Sequence, residues 1–370
     1  MPLPGFATPE GTEAYRRRVT ALAVPEHFRP LEDCWLSSVG IGTYLGDEDV
    51  DTDRLYHEAV SRAVELGANV IDTAINYRHQ RSERAIGAAL AALIGVGRLR
   101  REEVVIATKG GFIPFDGAPP ANPRAYFADT YLHPGIVRPE DVVLGCHCMT
   151  PRYLADQLDR SRRNLGLDAL DIYYIHNPET QLEEVERALF LRRIREAFAE
   201  LEGAVAHGKI RCYGTATWNG YRQPPDAADY LSLSELVAVA RDVAGERHHF
   251  RVIQLPLNLA MTEAFTRANQ RVDGDTVSTL EACRRLGVYA VASASVYQGQ
   301  LARGLPEVIG QYLPGLASDA QRAIQFARST PGLGSALVGM KRVAHVEENL
   351  GVAKVPPLPA SEFLRMFKAS

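Results

Sequence analysis

Eight short apolar segments alternate along the chain with longer amphipathic ones, and this alternation restricts the possible folds more than any other feature. Each short segment is rich in β-branched and aromatic residues, a composition that predicts a buried strand. The eight segments are SSVGIGTYL (37–45), ANVIDTA (68–74), EVVIATKG (103–110), LDIYYIH (170–176), KIRCYGTAT (209–217), RVIQLPLN (251–258), GVYAVASAS (287–295) and GSALVGM (334–340). Eight regular alternations favour a closed parallel barrel over an open doubly wound sheet, so we predict an α/β fold of the (β/α)8, or TIM, barrel type.

Two long segments interrupt the alternation. Residues 111–149 separate the third predicted strand from its helix and contain many Pro, Gly and aromatic residues, while residues 259–275 form a shorter insertion after the sixth strand. Both follow a strand and precede a helix, so both are expected on the face where barrel enzymes bind their substrates. We therefore predict a barrel domain over residues 36–355, preceded by an extension (1–35) and followed by a tail (356–370).

The overall composition argues against several kinds of partner. The 370 residues are 46% hydrophobic and 23% charged, as in ordinary globular proteins, and the net charge of -4 does not indicate binding to nucleic acid or to an anionic membrane. No apolar run is long enough to cross a bilayer, and the N-terminus lacks the apolar core of a signal peptide. Five scattered cysteines favour a reducing compartment, so we expect a cytoplasmic protein.

Four ionisable residues stand at or just beyond the ends of three consecutive predicted strands. Asp72 and Tyr77 follow the second strand (NVIDTAINY), Lys109 ends the third (VVIATKGG), and His176 ends the fourth (LDIYYIHNP). The carboxyl ends of the strands meet on one face of a parallel barrel, so these side chains are expected to form one site. Taken singly, each residue is more often structural; the four together predict catalysis.

The chemistry of the four residues suits proton transfer to a carbonyl group. A tyrosine is a weak acid, with a reference pKa of about 10, and a nearby lysine cation is expected to stabilise the phenolate and lower that pKa. A buried aspartate would keep the lysine charged, and the histidine would orient a carbonyl or share the proton. This set predicts a general acid that protonates a carbonyl oxygen while hydride reaches the carbon.

Several motifs, present together and in order, resemble those of the aldo-keto reductase family. They are DTAINY (72–77) followed by Ser82-Glu83 and Gly87, Thr108-Lys109, SRRNLGLDALDIYYIH (161–176), Gln254 with Asn258, and ALVGMKRVAHVEENL (336–350). The resemblance covers most of the predicted barrel. It implies an NADP(H)-dependent oxidoreductase that reduces an aldehyde, ketone or keto-sugar to an alcohol, with Tyr77 as general acid, Lys109 and Asp72 tuning it, and His176 orienting the carbonyl.

The resemblance also implies where the adenosine end of NADP(H) would bind. Lys341 and Arg342 match the basic positions that the family uses for the 2′-phosphate, and a basic pair that opens a helix also suits phosphate on physical grounds. Glu348 and Asn349 match positions on the adenine side. These four residues are the predicted adenosine-binding set.

At the nicotinamide end the chain departs from the family pattern. Gln254 matches the position that holds the carboxamide, but Ala216-Thr217 stand where the family usually has Ser-Asn, and Ser293 stands where it usually has a stacking tyrosine. We expect Thr217, Gln254 and Ser293 to line the nicotinamide site in altered geometry.

Three residues near the predicted strand ends are candidates for substrate contact. Tyr44 follows the first strand, Trp218 follows the fifth, and His147 lies between Cys146 and Cys148 in the long insertion. This Cys-His-Cys cluster does not predict a zinc site, because structural zinc usually needs four ligands in two pairs and the sequence supplies no second pair. The expected partner is a small carbonyl or alcohol substrate, with no metal.

Two other functions remain open from the sequence. An epimerase would use bound NADP to oxidise and re-reduce a sugar carbon without net redox change. A non-catalytic barrel would bind NADP as a regulatory partner, as the channel-associated subunits of this family do. The substitutions at Ala216, Thr217 and Ser293 favour the regulatory role, whereas the intact four-residue site argues against it.

Overall fold

Eight parallel strands close into a barrel in the computed structural model, which describes residues 2–368. Two short antiparallel hairpins accompany the barrel. The strands are β1 (Phe28–Leu31), β2 (Cys34–Ser37), β3 (Val39–Gly42), β4 (Val70–Asp72), β5 (Val105–Gly110), β6 (Leu170–His176), β7 (Ile210–Ala216), β8 (Phe250–Pro256), β9 (Ala268–Val272), β10 (Asp275–Ser278), β11 (Tyr289–Ser293) and β12 (Leu333–Gly339). The barrel order is β3-β4-β5-β6-β7-β8-β11-β12, with β12 pairing back onto β3. Each predicted strand overlaps one barrel strand, which confirms the (β/α)8 prediction.

Helices connect the barrel strands and cover their outer faces, and further helices lie in the N-terminal extension, the insertions and the C-terminal tail. They are α1 (Pro9–Arg18), α2 (Val50–Glu65), α3 (Arg81–Gly95), α4 (Pro123–Phe127), α5 (Pro151–Leu165), α6 (Arg187–Ala206), α7 (Leu233–Ala244), α8 (Glu263–Thr266), α9 (Thr279–Leu286), α10 (Glu307–Tyr312), α11 (Asp319–Ser329), α12 (Val343–Leu350) and α13 (Ala360–Phe363). Side-chain caps begin several of them, as where Asp49 accepts a hydrogen bond from the Thr52 N–H. Left-handed Gly166 and Gly287 end α5 and α9.

The N-terminal extension closes the end of the barrel at which the strands begin. Its α1 helix and β1–β2 hairpin place Leu36 and Cys34 in one apolar cluster with the inward-facing Val105 and Ile172. The role of this segment was not readable from the sequence, because its closing contacts are made with distant strands.

Asp171 fixes the extension to the barrel. Its carboxylate accepts hydrogen bonds from the Ala7 N–H at 2.6 Å and from the Ile106 N–H at 2.7 Å, and it pairs with the Arg101 guanidinium at 2.8 Å. Asp171 and Arg101 are both buried. Asp171 therefore joins the N-terminal extension to both β5 and β6.

Both insertions on the opposite face are folded. Residues 111–149 contain α4 and a π-helical turn (Ala128–Leu132), and they enclose a small apolar core around Tyr131 and Tyr153. The segment 259–275 contains α8 and enters the β9–β10 hairpin. Both insertions therefore lie next to the ends of the barrel strands.

The burial of Asp171 predicts a large effect on stability. We expect Asp171→Ala to lower the free energy of unfolding by about 3–5 kcal/mol, because it leaves Arg101 buried without its partner. Urea unfolding followed by circular dichroism measures the change. The control is Asp242→Ala, which removes an exposed pair with Arg195 and should change stability by less than about 1 kcal/mol. Equal effects of the two substitutions would contradict this role for Asp171.

Candidate active site

The barrel brings the four predicted catalytic residues together on the face where the strands end. Asp72 ends β4, Lys109 lies next to the end of β5, and His176 ends β6, and these three strands are neighbours in the sheet. Tyr77 lies on the turn that follows β4, and this turn is tied to β5 where the Ile75 N–H donates to the Lys109 carbonyl oxygen at 3.3 Å. Adjacent parallel strands therefore assemble a site that is scattered over about a hundred residues of sequence.

Lys109 and Asp72 form a buried ion pair at the centre of the site. The Lys109 Nζ donates to Asp72 Oδ1 at 2.5 Å and to the Thr73 carbonyl oxygen at 2.7 Å. Burial opposes the lysine charge, but the Asp72 carboxylate and the neighbouring Tyr77 phenol together raise the pKa of Lys109. Lys109 therefore stays a cation, as the sequence predicted.

Tyr77 lies between this cation and His176. The Lys109 Nζ is 4.9 Å from the centroid of the Tyr77 ring, and the His176 ring meets the tyrosine edge-on at 5.8 Å between centroids. Burial raises the pKa of Tyr77, and this effect exceeds the opposing effect of Lys109. Lys109 does lower the pKa of Tyr77, as the sequence predicted, but desolvation of the buried phenolate outweighs this effect. Tyr77 keeps its proton at neutral pH, as a proton donor requires.

His176 is neutral in this environment. Burial, followed by the positive charge of Lys109, lowers its pKa well below the ordinary value. Its Nδ1 has no hydrogen-bond partner within residues 2–368, whereas its main-chain carbonyl accepts from His147. A neutral imidazole beside a protonated phenol can orient a carbonyl oxygen without competing for the proton.

Gln254 contacts the ion pair directly. Its Nε2 donates to Asp72 Oδ2 at 2.8 Å, so both carboxylate oxygens of Asp72 are occupied. The sequence assigned Gln254 only to the nicotinamide carboxamide; the structure adds a contact with Asp72 and leaves the amide oxygen for such a ligand. The Thr217 N–H donates to the Gln254 carbonyl oxygen at 2.8 Å, and Ser293, half-buried, ends β11 on the same face.

The predicted adenosine-binding residues gather between β12 and α12. Arg342 is exposed and occupies the N-cap position of α12, with Lys341 directly before it. Neither side chain forms an ion pair with any residue of the described range 2–368. On the same helix Glu348 is exposed, while Asn349 is buried and its Oδ1 lacks a partner among those residues. Two free cations at a helix N-terminus and an unsatisfied buried amide fit a phosphate-bearing nucleotide.

Two of the three candidate substrate residues stand on the open rim. Tyr44 is 56% exposed, and its ring meets the Tyr77 ring edge-on at 5.1 Å. Trp218 is 40% exposed just beyond β7. Phe112, which the sequence analysis did not single out, lies edge-on to His176 at 5.1 Å. Aromatic rings therefore flank Tyr77 and His176.

The third candidate, His147, does not face the open site. It is fully buried, its Nε2 donates to the His176 carbonyl oxygen at 2.7 Å, and its Nδ1 accepts from Gln181 Nε2 at 2.8 Å. Burial also lowers its pKa to about 4, which keeps the ring neutral. The expectation that His147 contacts substrate is wrong for this geometry, because both ring nitrogens are used to dock the long insertion behind His176.

Glu179 is a residue of the site that the sequence analysis missed. Its Oε1 accepts hydrogen bonds from three consecutive backbone N–H groups, those of Trp218 at 2.7 Å, Asn219 at 3.1 Å and Gly220 at 3.4 Å. Burial raises the pKa of this carboxyl group, and the three donors oppose the rise. Glu179 thus connects the turn after His176 to the loop that carries Trp218. In the sequence, the acidic residue three positions after His176 could have indicated this role of Glu179.

No helix within residues 2–368 is long and apolar enough to span a membrane.

Comparison with known proteins agrees with the fold. The chain is 29% identical over 209 residues to the NADH-specific methylglyoxal reductase of Escherichia coli, a match that covers 55% of this chain and 54% of that protein. It is 24% identical over 313 residues to a probable voltage-gated potassium channel subunit beta of Arabidopsis thaliana, covering 79% of this chain and 80% of the relative. The chain spans only 33% to 54% of the first curated relatives that it matches.

Solved structures show the same fold. An aldo/keto reductase from Klebsiella pneumoniae, solved in complex with NADP and acetate, superposes with a TM-score of 0.61 at 21% identity, over 93% of this chain and 96% of that one. The model of the aldo/keto reductase family matches residues 38–239, which is more than half of the sequence and includes all four residues of the catalytic cluster. The chain therefore belongs to the aldo/keto reductase family.

Proposed function

We propose that this protein reduces the carbonyl group of a small aldehyde, ketone or keto-sugar to an alcohol with NADPH, and that Tyr77 is the proton donor. The observation that carries the proposal is the buried cluster of Tyr77, Lys109, Asp72 and His176, in which a protonated phenol lies between a lysine cation and a neutral imidazole. The cluster places a proton donor on the face of the barrel where ligands bind.

The residues around the cluster fit a bound dinucleotide. We assign Lys341 and Arg342 to its 2′-phosphate, Glu348 and Asn349 to its adenine end, and the amide oxygen of Gln254 to its carboxamide. The free cations at the start of α12 and the unsatisfied Asn349 Oδ1 support this assignment. The Klebsiella relative was solved with NADP, whereas the Escherichia coli relative is NADH-specific. The basic pair favours NADPH for this chain.

Bound NADPH would supply the hydride that reaches the carbonyl carbon. His176 orients the carbonyl oxygen towards Tyr77, whose phenol donates its proton as negative charge develops on that oxygen. Lys109 stabilises the phenolate left behind, and Asp72 keeps Lys109 charged and in place. The aromatic rings of Tyr44, Trp218 and Phe112 would contact the rest of the substrate. All five cysteines are free thiols, which suits the cytoplasmic location that we also propose.

Removal of the Tyr77 hydroxyl tests the proposal directly. We expect Tyr77→Phe to bind NADPH with unchanged affinity and to lose roughly 10²- to 10⁴-fold in kcat for an aldehyde such as benzaldehyde, because the ring stays and the proton donor is lost. NADPH oxidation followed at 340 nm measures turnover. The control, Tyr126→Phe, removes a hydroxyl from the long insertion and should leave kcat within about twofold. Near-normal turnover by Tyr77→Phe would disprove the assignment of the acid.

Cofactor preference tests the basic pair. We expect Arg342→Ala to weaken NADPH binding about tenfold and to leave NADH binding unchanged, since only NADPH carries the 2′-phosphate. Fluorescence titration with each dinucleotide gives both dissociation constants. Arg247→Ala serves as the control, because this exposed arginine lies just before β8, at the opposite end of the barrel. Equal weakening of both cofactors would place Arg342 away from the 2′-phosphate.

A further inference from the structure

The turn that follows Tyr77 has an unusual backbone. Three consecutive residues, Arg78, His79 and Gln80, have positive φ angles of 49°, 52° and 72°. None of them is glycine, the residue that adopts this left-handed conformation without steric penalty. A non-glycine residue in this region is sterically strained. Such a turn persists only where the surrounding structure holds it.

The Arg78 side chain supplies the strongest of these contacts. Its guanidinium is buried, with the side chain 1% exposed, and Nε donates to the Asp47 carbonyl oxygen at 2.7 Å. Nη2 donates to the Asp49 carbonyl oxygen at 3.1 Å and to Asp53 Oδ1 at 2.7 Å. The guanidinium also lies over the Tyr56 ring, 5.6 Å from its centroid. A planar fork with several donors can satisfy all of these acceptors at once.

The other two residues of the turn are held from a different direction. The Gln80 Nε2 donates to the Phe115 carbonyl oxygen at 2.8 Å, and the His79 carbonyl oxygen accepts from the Gly117 N–H at 2.8 Å. The His79 ring packs against Phe115 at 5.4 Å between centroids, and its one charged neighbour, Glu48, is 3.6 Å away and 43% exposed. Among the side chains of the turn, only that of Arg78 hydrogen-bonds to the loop after β3.

That loop carries the aromatic neighbour of the catalytic tyrosine. Tyr44 lies at its start and meets the Tyr77 ring edge-on, while Asp47 and Asp49 lie a few residues further along and accept the Arg78 hydrogen bonds. Arg78 is therefore attached to both partners of the contact between the Tyr44 and Tyr77 rings. It is covalently bonded to Tyr77, and it hydrogen-bonds to the loop that carries Tyr44. A shift in either segment would move the phenol relative to Lys109.

We propose that Arg78 is a positioning residue, which holds the left-handed turn and the Tyr44 loop together so that the Tyr77 phenol stays over Lys109 and next to His176. This inference rests on the proposed role of Tyr77 as proton donor. It explains why an arginine occupies a position whose backbone favours glycine: the side-chain contacts offset the strain and fix the proton donor.

Glycine substitutions distinguish relief of backbone strain in this turn from loss of the contacts by which Arg78 positions Tyr77. Arg78→Gly removes the guanidinium but relieves the backbone, so a merely tolerated arginine would give a variant that is at least as stable and fully active. We expect instead a kcat for benzaldehyde reduction that is roughly tenfold to a hundredfold lower, with NADPH affinity retained, because small displacements of a reacting group have effects of this size. His79→Gly is the matched control, since it relieves the same turn without loss of the Arg78 contacts, and its kcat should stay within about twofold of the wild type.

Hydrogen exchange gives a second measure that does not depend on turnover. We expect Arg78→Gly to speed amide exchange in peptides covering residues 44–49 and 74–80, and His79→Gly to leave exchange in 44–49 unchanged. If the wild-type protein reduces no carbonyl, the proposed function fails and this comparison alone decides the inference. Unchanged kcat and unchanged exchange in Arg78→Gly would overturn it. If Arg78→Gly does not fold, Arg78→Lys is tested instead. A severalfold loss of kcat in Arg78→Lys supports the proposal, and a wild-type kcat contradicts the proposal.

Discussion

The buried ion pair between Asp72 and Lys109 is the interaction on which the active face of this barrel depends. Removing two charges from water costs several kcal/mol per ion, and replacement of such a pair by apolar residues is often stabilising. The pair is satisfied here by a 2.5 Å contact, by the Thr73 carbonyl oxygen and by the Gln254 amide. A gain in stability alone does not account for this buried ion pair. The pair is accounted for by its chemical consequence, which is a fixed cation beneath the Tyr77 ring.

The electrostatic balance around Tyr77 explains how one site can hold and release a proton. Burial keeps the phenol protonated, and Lys109 limits the energy of the phenolate that forms once the proton has left. At His176 the two effects act in the same direction, because burial and the nearby cation both keep the imidazole neutral. The same low-dielectric surroundings therefore hold a protonated phenol, Tyr77, beside a neutral imidazole, His176. The charge of Lys109 lowers the pKa of both groups.

Segments far apart in sequence hold these groups in place. His147 docks the long insertion against the His176 carbonyl, Glu179 fixes the loop of Trp218, and Arg78 joins the Tyr77 turn to the Tyr44 loop. In each case a buried polar side chain contacts the backbone of another segment. Rigid support of this kind is what a preorganised site requires, since displacements of about 1 Å have large effects on catalysis.

The barrel and the clustering of Asp72, Tyr77, Lys109 and His176 at its strand ends were predictable because their determinants are local. A β-branched run such as NVIDTA indicates its strand, and a polar residue at the end of that run indicates the face on which the side chain lies. The supporting contacts were not predictable in this way. Nothing near His147 in the sequence indicates that it binds a carbonyl oxygen on β6, and nothing near Arg78 indicates a left-handed backbone. The net pKa of Tyr77 also depends on burial, which the sequence alone does not give.

Parallel titrations of the wild-type protein with NADPH and NADH test whether the barrel binds NADPH for carbonyl reduction. We expect saturable binding of both dinucleotides, with NADPH at least tenfold tighter, because Lys341 and Arg342 are free to bind the 2′-phosphate. Absence of binding by either dinucleotide would contradict it. The substitutions at Ala216, Thr217 and Ser293 would then have closed the cofactor site, and the buried cluster around Tyr77 would serve a role other than reduction.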